Sequence, residues 1–364
     1  MAVTSHDVAR LAGVSQPTVS RALRDEKGVS AATRRRVREA ARSLGYVPSQ
    51  AGRALSTRRS RKIGVISAEL SNPFYPALLG PLHDALAGHG YRTVLFTDRG
   101  ERPVELDPLL DGSLDGVVLT TSERTSSLPG ELMARGVPFV MVNRTVDGIE
   151  ADRCVAGNRV GAAAVAELLA HLGHRRVAAI LGPESTSTGQ ERADGFRDAL
   201  AHRGIDLPPA RMVHGPFDPD TGRRGLIRLI STEAPPTAVF CGNDVIALGA
   251  LNAAASLGID IPGRLTIVGF DDIPMAAWEV FNLTTVRVDL PEMARSVAAL
   301  LVERLAAPDA PARSVVLEPR LIMRGTHGPP RRDEEDYESA GPLHQMQPRI
   351  VRADTEWGRD ASRT

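Results

Sequence analysis

The sequence predicts a small all-α head followed by a larger α/β region of two lobes, each a parallel sheet with helices on both faces. Three observations predict this class: two short helical patterns around a glycine near the N-terminus, apolar runs that alternate with helical patterns from residue 63 onward, and opposite charge in the two parts. Two lobes are expected because about 260 residues exceed one comfortable hydrophobic core.

The head begins with two helical segments, in residues 4–12 and 15–23. Each carries an apolar stripe at i, i+3 and i+4: Val8, Leu11 and Ala12 in the first, and Val19, Ala22 and Leu23 in the second. Thr4 and Asp7 match a capping pair, Gly13 permits a left-handed turn, and Ser15 is suited to cap the second helix. The pattern is typical of a helix-turn-helix.

A third helix follows the first two. Ser30 is placed to cap it, Gly45 to end it, and its apolar stripe is Val37, Ala40, Ala41 and Leu44. Five arginines surround this stripe: Arg34, Arg35, Arg36, Arg38 and Arg42. The three segments together predict one small core.

Charge separates the head from the rest of the chain. Residues 1–62 contain 14 Lys and Arg against 4 Asp and Glu, whereas the remaining 302 residues contain 30 against 40, so a net charge of zero is the sum of +10 and −10. The alternative is a purely structural helical bundle. A basic head on an acidic body instead indicates attraction to phosphates, and therefore to double-stranded DNA.

The second helix is the one expected to enter a DNA groove. With Val19 facing inward, Pro17, Arg21 and Arg24 lie on its outer side, and Arg21 can bond a guanine with two hydrogen bonds. Pro17 is tolerated because the first turn has no intrahelical partner for its missing N–H. We assign base contacts to Gln16, Pro17 and Arg21, and backbone contacts to the hydroxyl side chains of Thr4, Ser15, Thr18, Ser20, Ser30 and Thr33.

The body shows alternating strands and helices. The predicted strands are Ile63–Ser67, Thr93–Phe96, Val117–Leu119, Phe139–Val142, Val177–Leu181, Ala238–Cys241 and Leu265–Val268. The helices predicted between them include Pro76–Ala87, Val160–Leu172, Gln190–His202 and Asp244–Leu257. Such alternation is typical of parallel sheets wound with helices on both faces.

Other chemistry finds little support. Apolar residues make up 42% of the chain without a long apolar run or a secretory pattern, so we expect a cytoplasmic protein that does not enter a membrane. Cys154 and Cys241 are isolated and are expected to be core residues. His171 and His174 lack metal-site spacing, and His174-Arg175-Arg176 is interpreted as a helix end where cations suit the helix dipole. Because no nucleophile motif or phosphate loop is present, we predict no enzyme, no cofactor and no metal.

At this point the motifs resemble the lactose-repressor (LacI/GalR) family of bacterial transcription regulators. The resemblance rests on residues 7–23, on Gly45-Tyr-Val-Pro48 and Arg53-Ala-Leu55, and on Ile63-Gly-Val-Ile66 with Ser71-Asn-Pro-Phe74, and it covers residues 3 to about 325. It implies a homodimer that binds a palindromic DNA operator through its heads. It also implies a periplasmic-binding-protein-like domain that takes a small effector between two lobes.

The resemblance also assigns a role to the linker. Pro48 opens it, residues 49–56 can form a short helix, and Leu55 corresponds to the leucine that the family inserts into the minor groove as a base-step wedge. The alternative is a solvated linker. Since Gly52 costs about 1 kcal/mol of helix propensity, the hinge helix is expected to fold on DNA. The expected domains are 1–47 for the head, 48–62 for the hinge, 63–327 for the body and 328–364 for a disordered tail.

Lobe connections follow from the same resemblance. The chain is expected to cross between lobes near Asn158, near Val286 and around Leu317, which returns the helix Pro291–Leu305 to the first lobe. Ligands bind beyond the carboxyl ends of parallel strands, and five strand ends here carry polar or aromatic groups. Matching positions assign effector contacts to Phe74, Asn143, Thr188, Arg192, Phe217, Asn243, Asp271 and Trp278.

Three of these residues also have a purely structural interpretation. Asn243 can merely cap the next helix, Asp271 can belong to a turn, and Arg192 can belong to a surface ion pair. The effector identity stays open, with a sugar or polyol as first choice and a purine-like molecule weaker, because Thr186 stands where relatives can have arginine. The alternative function, a solute-binding protein of a transport system, would leave residues 1–62 unexplained.

Overall fold

A computed structural model of the chain describes residues 3–23, 25, 27–47, 59–67, 70–97, 109 and 111–331. These fall into two compact units, one formed by residues up to Arg61 together with Asp111–Asp115, and the other by the rest. The hinge residues 48–58, including Leu55, and the tail beyond 331 lie outside the described residues, as does Arg24.

The head contains three helices, α1 Ser5–Ala12, α2 Gln16–Leu23 and α3 Ala31–Ser43. Thr4 forms the predicted capping box with Asp7, and Gly13 has φ 63° at the turn. Its core is Val8, Ala9, Ala12, Val19, Ala22, Val37, Ala40 and Ala41, with Leu23 and Leu44 packed at the edge. The stripe predicted for α1 was wrong at one position, since Leu11 is 57% exposed and Ala9 is buried instead. The small side chain of Ala9 lets the three short helices approach closely.

The first lobe of the body contains a six-stranded sheet of order β11-β5-β4-β3-β1-β2, and every adjacent pair is parallel. Its strands are β1 Lys62–Ser67, β2 Arg92–Thr97, β3 Gly116–Leu119, β4 Phe139–Val142, β5 Arg153–Ala156 and β11 Ser314–Leu317. Its described helices are α4 Phe74–Gly88, α5 Leu128–Ala134 and α10 Leu290–Ala306. The return of α10 to this lobe is as predicted, because it packs against α4, β3 and β4.

The second lobe contains a parallel sheet of order β7-β6-β8-β9. Its strands are β6 Val177–Leu181, β7 Met212–His214, β8 Ala238–Cys241 and β9 Thr266–Val268. Its helices are α6 Asn158–His171, α7 Ser187–His202, α8 Pro219–Ile230 and α9 Asp244–Ser256, with 3-10 turns at Pro209–Arg211 and Pro274–Ala277. Helix α6 packs on α7, and α8 packs on α9.

Three crossovers join the lobes at the predicted places. The first leads from β5 into α6, and the other two are the antiparallel strands β10 Thr285–Arg287 and β12 Arg320–Ile322. The second crossover lies beside the carboxyl end of β9, with bridges from Thr284 to Val268 and from Arg287 to Asp271. Polar groups that follow the parallel strands of both lobes are expected to face one cleft at this end.

Candidate functional site

The outer face of α2 presents the predicted base-reading side chains. Pro17 and Arg21 are exposed and Gln16 is half-buried. Arg21 is the exposed cation in the last turn of α2. Gln16 Nε2 lies 3.4 Å from Ser5 Oγ, which ties the start of α2 to α1.

Most of the predicted backbone-contact hydroxyls make local hydrogen bonds. Thr4 Oγ1 donates to Asp7 at 2.7 Å, and Ser15 Oγ lies 2.8 Å from Thr18 Oγ1. Ser30 Oγ caps α3 by accepting from the Thr33 backbone N–H at 3.2 Å. Hydroxyls bonded in this way stabilise the ends of the helices. Each hydroxyl has one O–H donor and two lone pairs, so it can form a further hydrogen bond at the surface.

The body contains a pocket at the five strand ends. Its lining residues are Asn72, Phe74, Tyr75, Asn143, Arg144, Thr188, Arg192, Phe217, Asn243 and Asp271. Seven of the eight predicted effector residues are therefore brought together. The cavity volume is about 10 Å³, close to the space that one ordered water needs.

Each nitrogen of the Arg192 guanidinium donates one hydrogen bond. Nε donates to Asn158 Oδ1 at 2.9 Å, Nη1 to the Gly242 carbonyl at 2.7 Å, and Nη2 to Asp271 Oδ1 at 2.9 Å. Its Cζ lies 3.8 Å from the centre of the Phe270 ring. The side chain is 3% exposed, which contradicts the alternative of a surface ion pair.

Asn243 and Asn143 are positioned by the ends of their strands. Asn243 caps α9, since its Oδ1 accepts from the Ile246 N–H at 2.9 Å, and it lines the pocket as well. Asn143 has φ 68°, a left-handed conformation that turns its side chain out of the line of β4. Capping therefore does not remove Asn243 from the pocket wall.

Aromatic side chains form the apolar part of the wall. Phe74 and Tyr75 meet edge to face with ring centroids 5.3 Å apart. Arg144 Cζ lies 5.4 Å from the centre of the Phe217 ring and 6.0 Å from that of Tyr75. Asn72 and Arg144 belong to the polar strand ends of the sequence analysis and Tyr75 to the first turn of α4. None of the three was assigned an effector contact, because a strand end does not show which neighbouring side chains point inward.

Trp278 was the one predicted effector residue that the structure does not bring into the pocket. It is 56% exposed and stacks on Phe281, with ring centroids 6.3 Å apart. The 3-10 turn Pro274–Ala277 buries Ala276 and directs the following tryptophan to the surface.

Two buried carboxyl groups have raised pKa values, Asp271 in the pocket wall and Asp244 next to Asn243. Burial raises the pKa of Asp271 above its usual range, and the neighbouring charge of Arg192 only partly opposes this. Burial and, next, the charge of Asp271 raise the pKa of Asp244. The carboxyl oxygens of Asp244 accept hydrogen bonds from Thr285 Oγ1 and from the Ile273 N–H. Raised carboxyl pKa values are typical of sites that are closed to water.

A second cavity, of about 390 Å³, lies at the opposite ends of the strands, beside Phe139 and Asp152. The arginine in its wall, Arg304, is fully used: it donates to Asp152 and to the carbonyls of Pro308, Ala310 and Pro311. These bonds hold the end of α10 to the following loop.

The remaining candidates are structural. His174 is buried, between Thr237 Oγ1 and the Gly328 carbonyl, and burial lowers its pKa, so its interpretation as a helix-end cation was wrong. Cys154 and Cys241 are free and buried, as predicted, and burial raises the pKa of Cys154 to about 12. Within the described ranges, no helix is long and apolar enough to cross a bilayer, and no group of acidic, His or Cys side chains is arranged for a metal ion.

Comparison with known proteins gives two matches along the chain. Residues 4–49 match the family described as bacterial regulatory proteins, lacI family, and residues 166–327 match a periplasmic binding protein-like domain. The chain is 33% identical over 328 residues to the HTH-type transcriptional repressor CytR of Escherichia coli K12, which covers 89% of this chain and 96% of that protein. It is also 33% identical over 327 residues to the HTH-type transcriptional regulator CelR of Thermobifida fusca, covering 87% and 96%.

Solved structures agree with the fold. A complex of the transcriptional regulator CelR with cellobiose matches with a TM-score of 0.68 at 32% identity, over 89% of this chain and 99% of that chain. A Lac repressor dimer bound to operator and the anti-inducer ONPF matches with a TM-score of 0.82 at 24% identity, over 90% and 100%, which is a likeness of fold. The relatives named here are regulators of transcription and not enzymes, and this chain belongs to the LacI family of bacterial regulatory proteins.

Proposed function

We propose that this protein is a transcriptional repressor that binds a palindromic operator as a homodimer and is controlled by a small effector in the interlobe pocket. The observation that carries the proposal is the pocket itself, where polar groups from both lobes converge with aromatic rings. Such a constellation is what a small polar ligand needs. The target is chromosomal DNA, so the proposed location is the cytoplasm.

The proposed effector is a sugar or a related polyol. Arg192, Asp271 and Asn243 offer donors and acceptors to hydroxyl groups, and Phe74 and Phe217 can cover the apolar faces of a ring. The names of the relatives point the same way: one solved structure holds CelR with cellobiose, and a relative from Escherichia coli K12 is named ribose operon repressor. A purine-like effector remains the second choice, since Thr186 serves as the cap of α7 and brings no charge.

A homodimer is proposed because a palindromic operator presents two half-sites related by a two-fold axis. An apolar surface on the second lobe supports it. Trp278 and Val280 are 56% and 79% exposed, and Phe281 stacks on the tryptophan. Exposed apolar side chains next to each other indicate a protein contact, and we propose that a second copy of this chain covers them.

The head supplies sequence recognition in this proposal. Arg21, Pro17 and Gln16 face the bases, while Leu55 in the hinge enters the minor groove as a wedge. The solute-binding alternative would give residues 4–49, which match a DNA-binding family, no task. In this proposal the two lobes adopt two arrangements, of which one favours operator binding. The effector shifts the balance only by binding one arrangement more tightly than the other.

One experiment tests the proposal. The purified protein is incubated with a library of random short duplexes, and bound DNA is sequenced, first alone and then with a panel of pentoses, hexoses, disaccharides and nucleosides. We expect a palindromic sequence to be enriched and one class of small molecule to change its retention. Enrichment of no sequence by a folded protein would overturn the proposal.

A further inference from the structure

The loop after β9 carries two adjacent aspartates with different surroundings. Asp271 lines the pocket and pairs with Arg192. The side chain of Asp272 is 5% exposed, lies outside the pocket lining, and forms two ion pairs of 2.6 Å, with Arg287 and with Arg324. Arg287 ends β10, and Arg324 follows β12. One buried carboxylate therefore joins the second and third crossovers to the pocket loop.

The backbone of this loop is bonded to the second crossover. The Asp271 N–H donates to the Val286 carbonyl at 2.8 Å, and the Gly269 N–H donates to the Thr284 carbonyl at 2.9 Å. Asp271 and Asp272 have φ values of 109° and 56°. Such conformations cost free energy in residues other than glycine, and they persist only where surrounding bonds hold them. A shift of the second crossover is therefore expected to move the Asp271 backbone, and a shift of the third would act on the loop through the Arg324–Asp272 ion pair.

The first crossover reaches the pocket from the other side. Asn158 begins α6 directly after the crossover, is 2% exposed, and accepts from Arg192 Nε. All three connections between the lobes thus meet at the Arg192–Asp271 pair: one through Asn158, and two through the Asp271–Asp272 loop.

We propose that Asp272 is a positioning residue that couples the pocket to the lobe arrangement through Arg287 and Arg324. The inference rests on the proposed function and names the route of its regulation. A ligand that bonds Asp271 is thereby coupled to the position of the crossovers. Because coupling is reciprocal, DNA that favours one arrangement of the lobes changes the conformation of the Asp271–Asp272 loop. Without both ion pairs, the loop loses its side-chain link to β12, and the backbone bonds to β10 are left to hold it.

The test uses the full-length protein and the duplex that the wild-type protein selects from the random library. Hydrogen exchange is followed by mass spectrometry in peptides that contain the amides of Gly269 and Asp271, with and without saturating duplex. In the wild type we expect duplex binding to change exchange there about fivefold or more, the usual lower range of coupling between sites. In Asp272→Asn the change should fall below about twofold.

Matched variants separate coupling from stability. Asp220→Asn also removes a carboxylate with two arginine partners, Arg223 and Arg224, but on the surface of α8, and it should respond like the wild type. If Asp272→Asn fails to fold, Arg287→Gln takes its place, since Arg287 is half exposed; Arg287→Lys, which keeps the charge, should retain the response.

The outcomes distinguish the two hypotheses. If the wild type enriches no duplex, the proposed function fails, and this inference fails with it. If the wild type binds a selected duplex but exchange at Asp271 does not change, or if the folded Asp272 or Arg287→Gln variant keeps the full change, the coupling route alone is overturned.

Discussion

Arg192 and Asp271 form an ion pair of 2.9 Å in which the side chains are 3% and 5% exposed. A pair buried this deeply contributes little net stability, because the loss of water around both charges offsets their attraction. Arginine has five N–H donors, and three of those on Arg192 are used by Asn158, Gly242 and Asp271. Two N–H donors remain that a ligand can use. Ligand binding therefore explains a charged arginine at this buried position better than a contribution to folding stability does.

Substitutions of this pair test the pocket. Arg192→Ala or Asp271→Asn should weaken effector binding by about 1–3 kcal/mol or more, because buried polar groups of the ligand lose their partners. Titration of each variant with the sugar found in the panel, beside a melting curve, measures this. Arg197→Ala, on the exposed side of the same helix, is the control. Normal effector affinity in a folded Arg192→Ala protein would remove the residue from the site.

A second prediction concerns recognition by α2. Arg21→Ala should cost about 1–3 kcal/mol per half-site and relax sequence preference there, since its guanidinium can bond a base edge. Arg35→Ala, which removes an exposed arginine of α3, should instead weaken selected and random duplexes alike. Fluorescence anisotropy with both kinds of duplex measures the difference. Equal losses for Arg21→Ala on the two duplexes would exclude a base contact.

The central strands of both sheets could be predicted because they are continuous apolar runs. Phe139–Val142, Val177–Leu181 and Ala238–Cys241 have the predicted bounds, and all their residues are buried. Five strands were missed, β5, β7, β10, β11 and β12, because three or four residues are too few to show a clear period.

The pocket could be located because strand ends and family positions agree, but its bonding could not. Nothing in the spacing of Asn158, Arg192 and Asp271 along the chain shows that three crossovers meet there. That meeting depends on which lobe each strand joins. Trp278 shows the opposite limit: a polar-tipped aromatic near a predicted ligand loop can as well lie on the surface.

The contact of α8 with α9 gives a third prediction. A Cβ atom on Gly222 would lie 1.9 Å from the Ile246 carbonyl oxygen, so Gly222→Ala forces two helix backbones apart. We expect a loss of about 1–3 kcal/mol or more in the free energy of unfolding. Gly80→Ala in α4 is the control, since nothing lies within 4 Å of that Cβ, and it should gain up to about 1 kcal/mol. Urea unfolding compares them, and an unchanged midpoint for Gly222→Ala would contradict the packing.

The last prediction concerns Asp152, whose side chain is fully buried between Arg304 and Arg313. Burial raises the pKa of this carboxyl, but hydrogen bonds from Arg304 and Arg313 outweigh burial and hold the pKa below the ordinary value of 3.8. A lowered folded pKa means that the ionised group stabilises the fold above pH 3.8, and that this stabilisation is lost as the pH falls through the folded value.

At neutral pH, Asp152→Asn should cost about 3–5 kcal/mol, because two arginines lose their buried partner. Unfolding of wild type and variant at pH 7 and at steps below pH 4 should show this difference shrinking as the solution becomes more acidic. Asp309→Asn, an exposed change in the neighbouring loop, should stay within about 0.5 kcal/mol throughout. A cost for Asp152→Asn that is the same at every pH would mean that packing, and not the charge, holds α10 to the first lobe.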